Sequence, residues 1–198
     1  LNYPVIIKPA NLGSSIGISI AKTREELEKS ILVALNFDNK ILVEKALQDF
    51  KEINCAALGN KNEVIVSSLE EPISYKDFLT FDEKYILGDK KSVKRIYPAK
   101  ISNEIKKEIQ QTSQEIFEKF ELSGVVRIDF MIKDNIVYVN EINTIPGSLA
   151  YYLFEKEGLT FSDILDKLIL YSQKKHDEKL DISFAFKSNV LNQTDIKK

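Results

Sequence analysis

Apolar residues recur along this chain in two rhythms, one belonging to strands and one to helices. "YPVIIKPA" (3–10) is a short apolar run of the buried-strand kind, and "NLGSSIGISIA" (11–21) is a Gly/Ser loop leading into a second strand. "TREELEKSILVALNF" (23–37) predicts a helix: Thr23 and Glu26 are spaced as a capping box, and Leu27, Ile31 and Leu35 recur every four residues. "KILVEKAL" (40–47) is the next strand, and "EINCAALGN" (52–60) and "EVIVSSLEE" (63–71), meeting at "GNKN", predict a hairpin. Residues 70–100 are polar with little periodicity, a long connection of the kind that is usually functional. A helix over 102–120 carries Ile105, Ile109, Ile116 and Phe120 on one side. "GVVRIDFMIKDNIVYVNEI" (124–142) predicts a second hairpin turned at "KDN", and "LTFSDILDKLILYSQKK" (159–175) a last amphipathic helix. This order predicts an α+β layered fold, a mostly antiparallel sheet with helices packed on one side.

Composition narrows the function classes. The chain has 198 residues, 43% of them hydrophobic and 29% charged, enough to bury a core in one domain or two small lobes. The net charge is -2 and both signs are mixed along the chain, so there is no footprint for nucleic acid or an anionic membrane surface. Apolar runs are far shorter than a membrane span and no signal peptide opens the chain. The single cysteine, Cys55, sits in an apolar strand pattern and reads as a small buried residue, consistent with a reducing, cytoplasmic compartment. The chain opens inside a strand-like run without an initiator Met, so it is expected to be part of a longer polypeptide.

Chemistry concentrates on the second hairpin. Glu141 and Asn143 in "VNEINTIPG" (139–147) are two apart, so on a strand both point to the same face. Arg127, Asp129 and Met131 share a face of the preceding strand, and pairing through "KDN" sets Asp129 beside Glu141. Adjacent carboxylates repel unless a cation lies between them. Oxygen-only ligands in small number suit Mg²⁺ that takes its remaining ligands from phosphates and water. The plainer alternative is a solvated sheet face. Gly13 and Gly17 in "PANLGSSIG" permit tight turns, and Ser14 and Ser15 add hydroxyls to exposed amides, so the loop is either a phosphate-covering flap or simply a loop. Lys8 closes an apolar strand, where a cation needs a partner, and a phosphate is one. Glu44 and Lys45 are a strand end meeting solvent or, in a nucleotide site, groups presented to an adenine edge. His176 follows the last helix in a Lys-rich stretch and is solvated, which leaves catalysis to cations, a metal and oriented backbone.

Taken together, "VIIKPANLGSSIGI", "ILVEKAL…KEINCAALG", "FDEKY", "SGVVRIDF" and "NEINTIPG" resemble the ATP-grasp fold and, within it, the D-alanine–D-alanine ligase family, from residue 1 to about 172. The resemblance implies a partial central ATP-grasp subdomain over 1–47, a C-terminal subdomain with the metal site over 48–175, and a polar tail over 176–198. It implies ATP with Mg²⁺ (or Mn²⁺), two ions, as cofactors, D-alanine as substrate, and a homodimer of the intact protein. By that resemblance Lys8 holds ATP phosphates and the loop with Ser14 and Ser15 closes over them. Glu44, Lys45 and Leu47 contact adenine, Glu52 the ribose, with one more residue than the commonest spacing between Glu44 and Glu52. Phe78 lines the adenine pocket and Lys84 reaches the γ-phosphate. Asp129, Glu141 and Asn143 match metal ligands, Arg127 and the Gly147 amide match the groups that hold an oxyanion, and Ser14 and Tyr85 match a pair that bonds a glutamate near the family's N-terminus.

Two departures matter. The family's N-terminal domain has no counterpart in these residues, so the chain by itself is expected to lack ligase activity. After "NTIPG" the family places a serine that anchors the carboxylate of the second amino acid, whereas the aligned residue here is Tyr152, with Ser148 on a different turn. A second D-alanine, another amino-acid or hydroxy-acid acceptor, and a non-catalytic nucleotide-binding module are the readings left open.

Overall fold

The computed structural model of this chain describes residues 1–73 and 95–180. Its first unit is a three-stranded sheet of β1 (Val5–Pro9), β2 (Ser19–Ala21) and β3 (Ile41–Lys45) in the order β2-β1-β3, all antiparallel. Helix α1 (Arg24–Ala34) covers one face, where Val5, Ile7, Ala21 and Ala34 are buried with Leu27 and Ile31 packed against them. Thr23 caps the helix by accepting from Glu26 N at 3.2 Å. The Glu26 carboxylate accepts from Lys22 N at 2.6 Å, one residue before the reciprocal bond that a capping box would make. Leu35 departs from the expected apolar stripe: it is the C-cap and 47% exposed.

The second unit is a five-stranded antiparallel sheet, β6-β5-β4-β7-β8. Both predicted hairpins form it: β4 (Lys51–Asn60) with β5 (Glu63–Pro72), and β7 (Gly124–Lys133) with β8 (Ile136–Asn143). The first turn is held by Asn60 Oδ1, which accepts from Asn62 N and Glu63 N at 2.8 and 3.2 Å. In the second, Asp134 and Asn135 both take left-handed φ (50° and 60°), the turn handedness that matches strand twist. β4 and β7 pair centrally, which joins the hairpins. Two-residue β6 (Arg95–Ile96) adds to β5 within the stretch expected to be irregular.

Helices cover both faces of this sheet, which corrects the expectation of one. α2 (Asn103–Lys119) packs over Ile53, Cys55, Ala57, Val126, Ile128 and Phe130. On the other face, a 3-10 segment (Gly147–Glu157) and α3 (Phe161–Leu180) pack over Ala56, Leu58 and Val125 only, because farther along β4 and β7 that face turns polar. α3 runs on through residues 176–180, so His176 lies in the helix, on its exposed surface, and not after it.

The expected apolar stripe of α2 also shifts. Phe117 is 1% exposed in the core, whereas Phe120, past the last turn, is 67% exposed. Phe117→Ala is therefore expected to cost about 3–5 kcal/mol by urea unfolding. Phe120→Ala should stay within about 0.5 kcal/mol. Equal losses would mean that the helix is rotated from this register. Cys55 is fully buried and burial pushes its thiol up to about 12, so it is an inert core residue as the sequence suggested.

Candidate functional site

Sheet register builds the polar face. Asp129 pairs with Glu141 across β7–β8 and with Asn54 across β7–β4, and Asn54 in turn pairs with Glu70 on β5. One step along, Arg127 pairs with Asn143 and Ala56. Period-two alternation therefore gathers Glu70, Asn54, Asp129, Glu141, Arg127 and Asn143 on the face opposite α2.

Arg127 grips Asp129 bidentately, Nε to Oδ1 at 2.7 Å and Nη2 to Oδ2 at 2.8 Å. Asn143 Nδ2 donates to Asp129 Oδ2 at 3.0 Å and, more weakly, to Glu141 Oε1 at 3.4 Å. Burial raises the Asp129 carboxyl above its ordinary range, with Glu141 adding to the rise and Arg127 opposing it. The Arg127 guanidinium, hydrogen-bonded to Asp129, is raised in turn. The ion pair thus fixes the arginine without fully offsetting the desolvation of its carboxylate. Such a site has an unmet demand for positive charge.

Glu70 was not singled out from the sequence. It is 3% exposed; its Oε1 accepts from Asn54 Nδ2 at 3.0 Å and from the Tyr152 hydroxyl at 2.8 Å. Burial and then the Glu70 bond push the Tyr152 phenol up to about 12, so it stays protonated and donates. The signal available was an acidic residue inside an apolar run ("SSLEE") facing an asparagine in another ("EINCAAL").

Gly147 opens the 3-10 segment beside Pro146, and the following Ser148, Leu149 and Ala150 all take left-handed φ near 50°. Three such residues in succession are strained. Burial of Ala150, with Leu149 packed in the same cluster, holds the turn in place. A further clamp on the segment is the Tyr97 hydroxyl, which donates to Leu153 O at 3.0 Å. Ser148 and Tyr152 lie on different turns of the segment, as expected, and Tyr152 is the one that reaches the polar face.

On the smaller sheet Lys8 and Glu44 project from the face opposite α1 and form an ion pair at 2.7 Å. The partner Lys8 requires is therefore Glu44 in this structure. Ser14 and Ser15 have left-handed φ of 56° and 60°, and Gly17 a φ of 70° where a Cβ would meet Pro9 Cγ at 2.9 Å, so glycine is required there. Lys45 ends β3, Leu47 follows it, and Glu52, half-buried on β4, pairs in register with Met131. Phe78, Lys84 and Tyr85 fall outside the described residues. Among the described residues no helix is long and apolar enough to cross a membrane, and no group of three His, Cys, Asp or Glu side chains is placed to hold a metal.

The family described as "D-ala D-ala ligase C-terminus" matches residues 1–170. A D-alanine–D-alanine ligase of Thermosipho melanesiensis is 47% identical over 191 residues, 96% of this chain and 52% of that protein. That of Caldicellulosiruptor bescii is 43% identical over 190 residues, 93% and 51% of the two. The chain thus spans about half the length of the curated relatives it matches. Among solved structures, the Coxiella burnetii D-alanine–D-alanine ligase superposes with a TM-score of 0.75 at 29% identity, covering 89% of this chain and 47% of that one. The VanG D-Ala:D-Ser ligase of Enterococcus faecalis superposes with a TM-score of 0.72 at 37% identity, covering 85% and 49%. The antiparallel sheets, their helices and these likenesses make the fold α+β ATP-grasp, and the chain belongs to the D-ala D-ala ligase C-terminal family.

Proposed function

We propose that this chain carries the nucleotide and metal half of an ATP-dependent carboxylate–amine ligase that joins two D-alanines through an acyl phosphate. The observation that carries the reading is the convergence of Arg127, Asp129, Glu141 and Asn143 on one sheet face. Lys8 and the loop bearing Ser14 and Ser15 bind ATP phosphates, joined by Lys84. Glu44, Lys45, Leu47 and Phe78 bind adenine, and Glu52 binds ribose. For Lys8 to meet a phosphate it exchanges its ion pair with Glu44, which frees Glu44 for the base.

The donor set fits Mg²⁺. Asp129 and Glu141 offer carboxylates, and Asn143 offers its amide oxygen once the amide turns over. Burial is the main cause of the raised Asp129 carboxyl and Glu141 a smaller one, and a cation there would offset both. When bound there, Mg²⁺ supplies neutralisation of phosphate charge. The carboxylate of the first D-alanine attacks the γ-phosphorus of ATP, releasing ADP. The neutral amine of the second attacks the acyl carbonyl, and collapse of the tetrahedral intermediate expels inorganic phosphate as the amine loses a proton. Arg127 and the Gly147 amide stabilise the oxyanion, and Ser14 with Tyr85 orders the donor side. The change of sheet between β3 and β4 supports a division near residue 47.

A second reading differs only in the acceptor: Tyr152 stands where the family's serine is expected and its hydroxyl is committed to Glu70, and one similar structure is a D-Ala:D-Ser ligase. The test is ADP release by the complete gene product with Mg-ATP and D-alanine, D-serine or D-lactate as acceptor. D-Alanine is expected to be fastest, and the residues of this chain alone should release almost none. Turnover with D-serine or D-lactate exceeding that with D-alanine would move the assignment to the second reading, and acceptor-independent behaviour would remove the ligase assignment.

A further inference from the structure

The Tyr152 side chain meets one guanidinium and feels the charge of a second. Arg95 lies over its ring at 4.3 Å from the centroid, and both Arg95 and Arg127 act electrostatically on the phenol. Glu70 ties the cluster together: its Oε1 takes the Tyr152 and Asn54 donors, and its buried Oε2, which has no hydrogen bond, lies 3.5 Å from Arg95 Nη1. The two ends differ in exposure. Glu70's side chain is 4% exposed, whereas Arg95's is 47% exposed.

This arrangement fixes a planar cation at the rim of the polar face. Contact with the Tyr152 ring restricts the guanidinium, and only Nη1 lies near Glu70, at 3.5 Å, too long for a hydrogen bond. Among the described residues Glu70 is its only ion-pair partner. A guanidinium held over that ring and half exposed, with no hydrogen bond to another described residue, can receive a carboxylate through two parallel hydrogen bonds, which an ammonium cannot do. Tyr152 cannot supply that recognition, because its hydroxyl already donates to Glu70 and has only one proton.

We propose that Arg95, held on Tyr152 by Glu70, receives the carboxylate of the acceptor amino acid; this rests on the ligase reading above. Glu70 is then a positioning residue: it is sealed from the ligand and acts through Tyr152 and Arg95. The acceptor's carboxylate is then seated at Arg95 and the reacting carbonyl at Arg127.

D-Alaninamide has an amine but no carboxylate, so it serves as acceptor and never as donor. The complete gene product is incubated with Mg-ATP, D-alanine and an excess of D-alaninamide, and the two dipeptide products are separated and quantified. The native protein is expected to form D-alanyl-D-alanine almost exclusively. Arg95→Met should shift the product ratio toward the amide by about tenfold or more, the size of a lost charge-assisted contact. Arg95→Lys should give an intermediate shift, and it decides the question if the methionine variant does not fold. A general structural loss would lower both products together. An unchanged ratio in the variants overturns the assignment of Arg95 while leaving the ligase reading intact. Absence of both dipeptides from the products of the native protein overturns the ligase reading and this assignment with it.

Discussion

Arg127→Met is expected to lower the kcat of the complete gene product about 100- to 1000-fold, the cost of removing one preorganised donor from an oxyanion. The ATP KM should change little, because the loss falls on a group used in the transition state and not in nucleotide binding. The geometry makes the arginine rigid: two of its three donor nitrogens, Nε and Nη2, bond Asp129 at 2.7 and 2.8 Å on the central pair of strands. A lysine cannot reproduce that fork, so Arg127→Lys should recover only a small part of the rate. Removing Arg127 also takes away the main opponent of the Asp129 rise, so the carboxyl should titrate higher still. Stability and rate must therefore be measured together. A variant that melts lower but keeps its turnover would show that Arg127 serves only as a counter-ion.

Much of this site is legible in the sequence because one hairpin carries it. Strand alternation and a two-residue turn, both legible in "DFMIKDNIVYVNEI", bring Asp129 close to Glu141, but that register alone would face it with Asn140; a register irregularity between Asp129 and Phe130 makes Glu141 its partner. Glu70 and Asn54 cannot be read the same way. They lie two and one strands farther on, respectively, and a register shift between Cys55 and Ala57 on β4 breaks the alternation that would predict which β5 residue lies in line with Asp129. Period alone also misplaced two helix residues at their ends. Leu35 and Phe120 continue the apolar spacing but occupy cap positions, where the chain turns away from the core. The 3-10 segment is harder still: three left-handed residues, Ser148 to Ala150, have no glycine among them to announce the conformation. That turn is set by the burial of Ala150, a tertiary cause.

Glu141→Gln should separate stability from function. Glu141 is exposed and adjoins the more buried Asp129, and its charge adds to the rise of the Asp129 carboxyl. A carboxyl raised in the folded state contributes stability that is present at acid pH and is lost as pH climbs from the unfolded value through the folded one. Metal-free protein should therefore weaken as pH rises across that window, and less so in the Gln variant, whose neutral amide no longer repels Asp129. At neutral pH the expected gain is about 0.5 kcal/mol, the scale of one cross-strand like-charge contact. Function should move the other way. With one carboxylate gone, magnesium-dependent ATP binding by calorimetry should weaken strongly and turnover should fall at least about 100-fold. Added Mg²⁺ with ATP should raise the melting temperature of the native protein far more than that of the variant, because only ligand bound to the folded state stabilises it. If the variant instead melts lower without metal and binds Mg-ATP as the native protein does, Glu141 is a solvated surface acid and the two carboxylates are not a cation site.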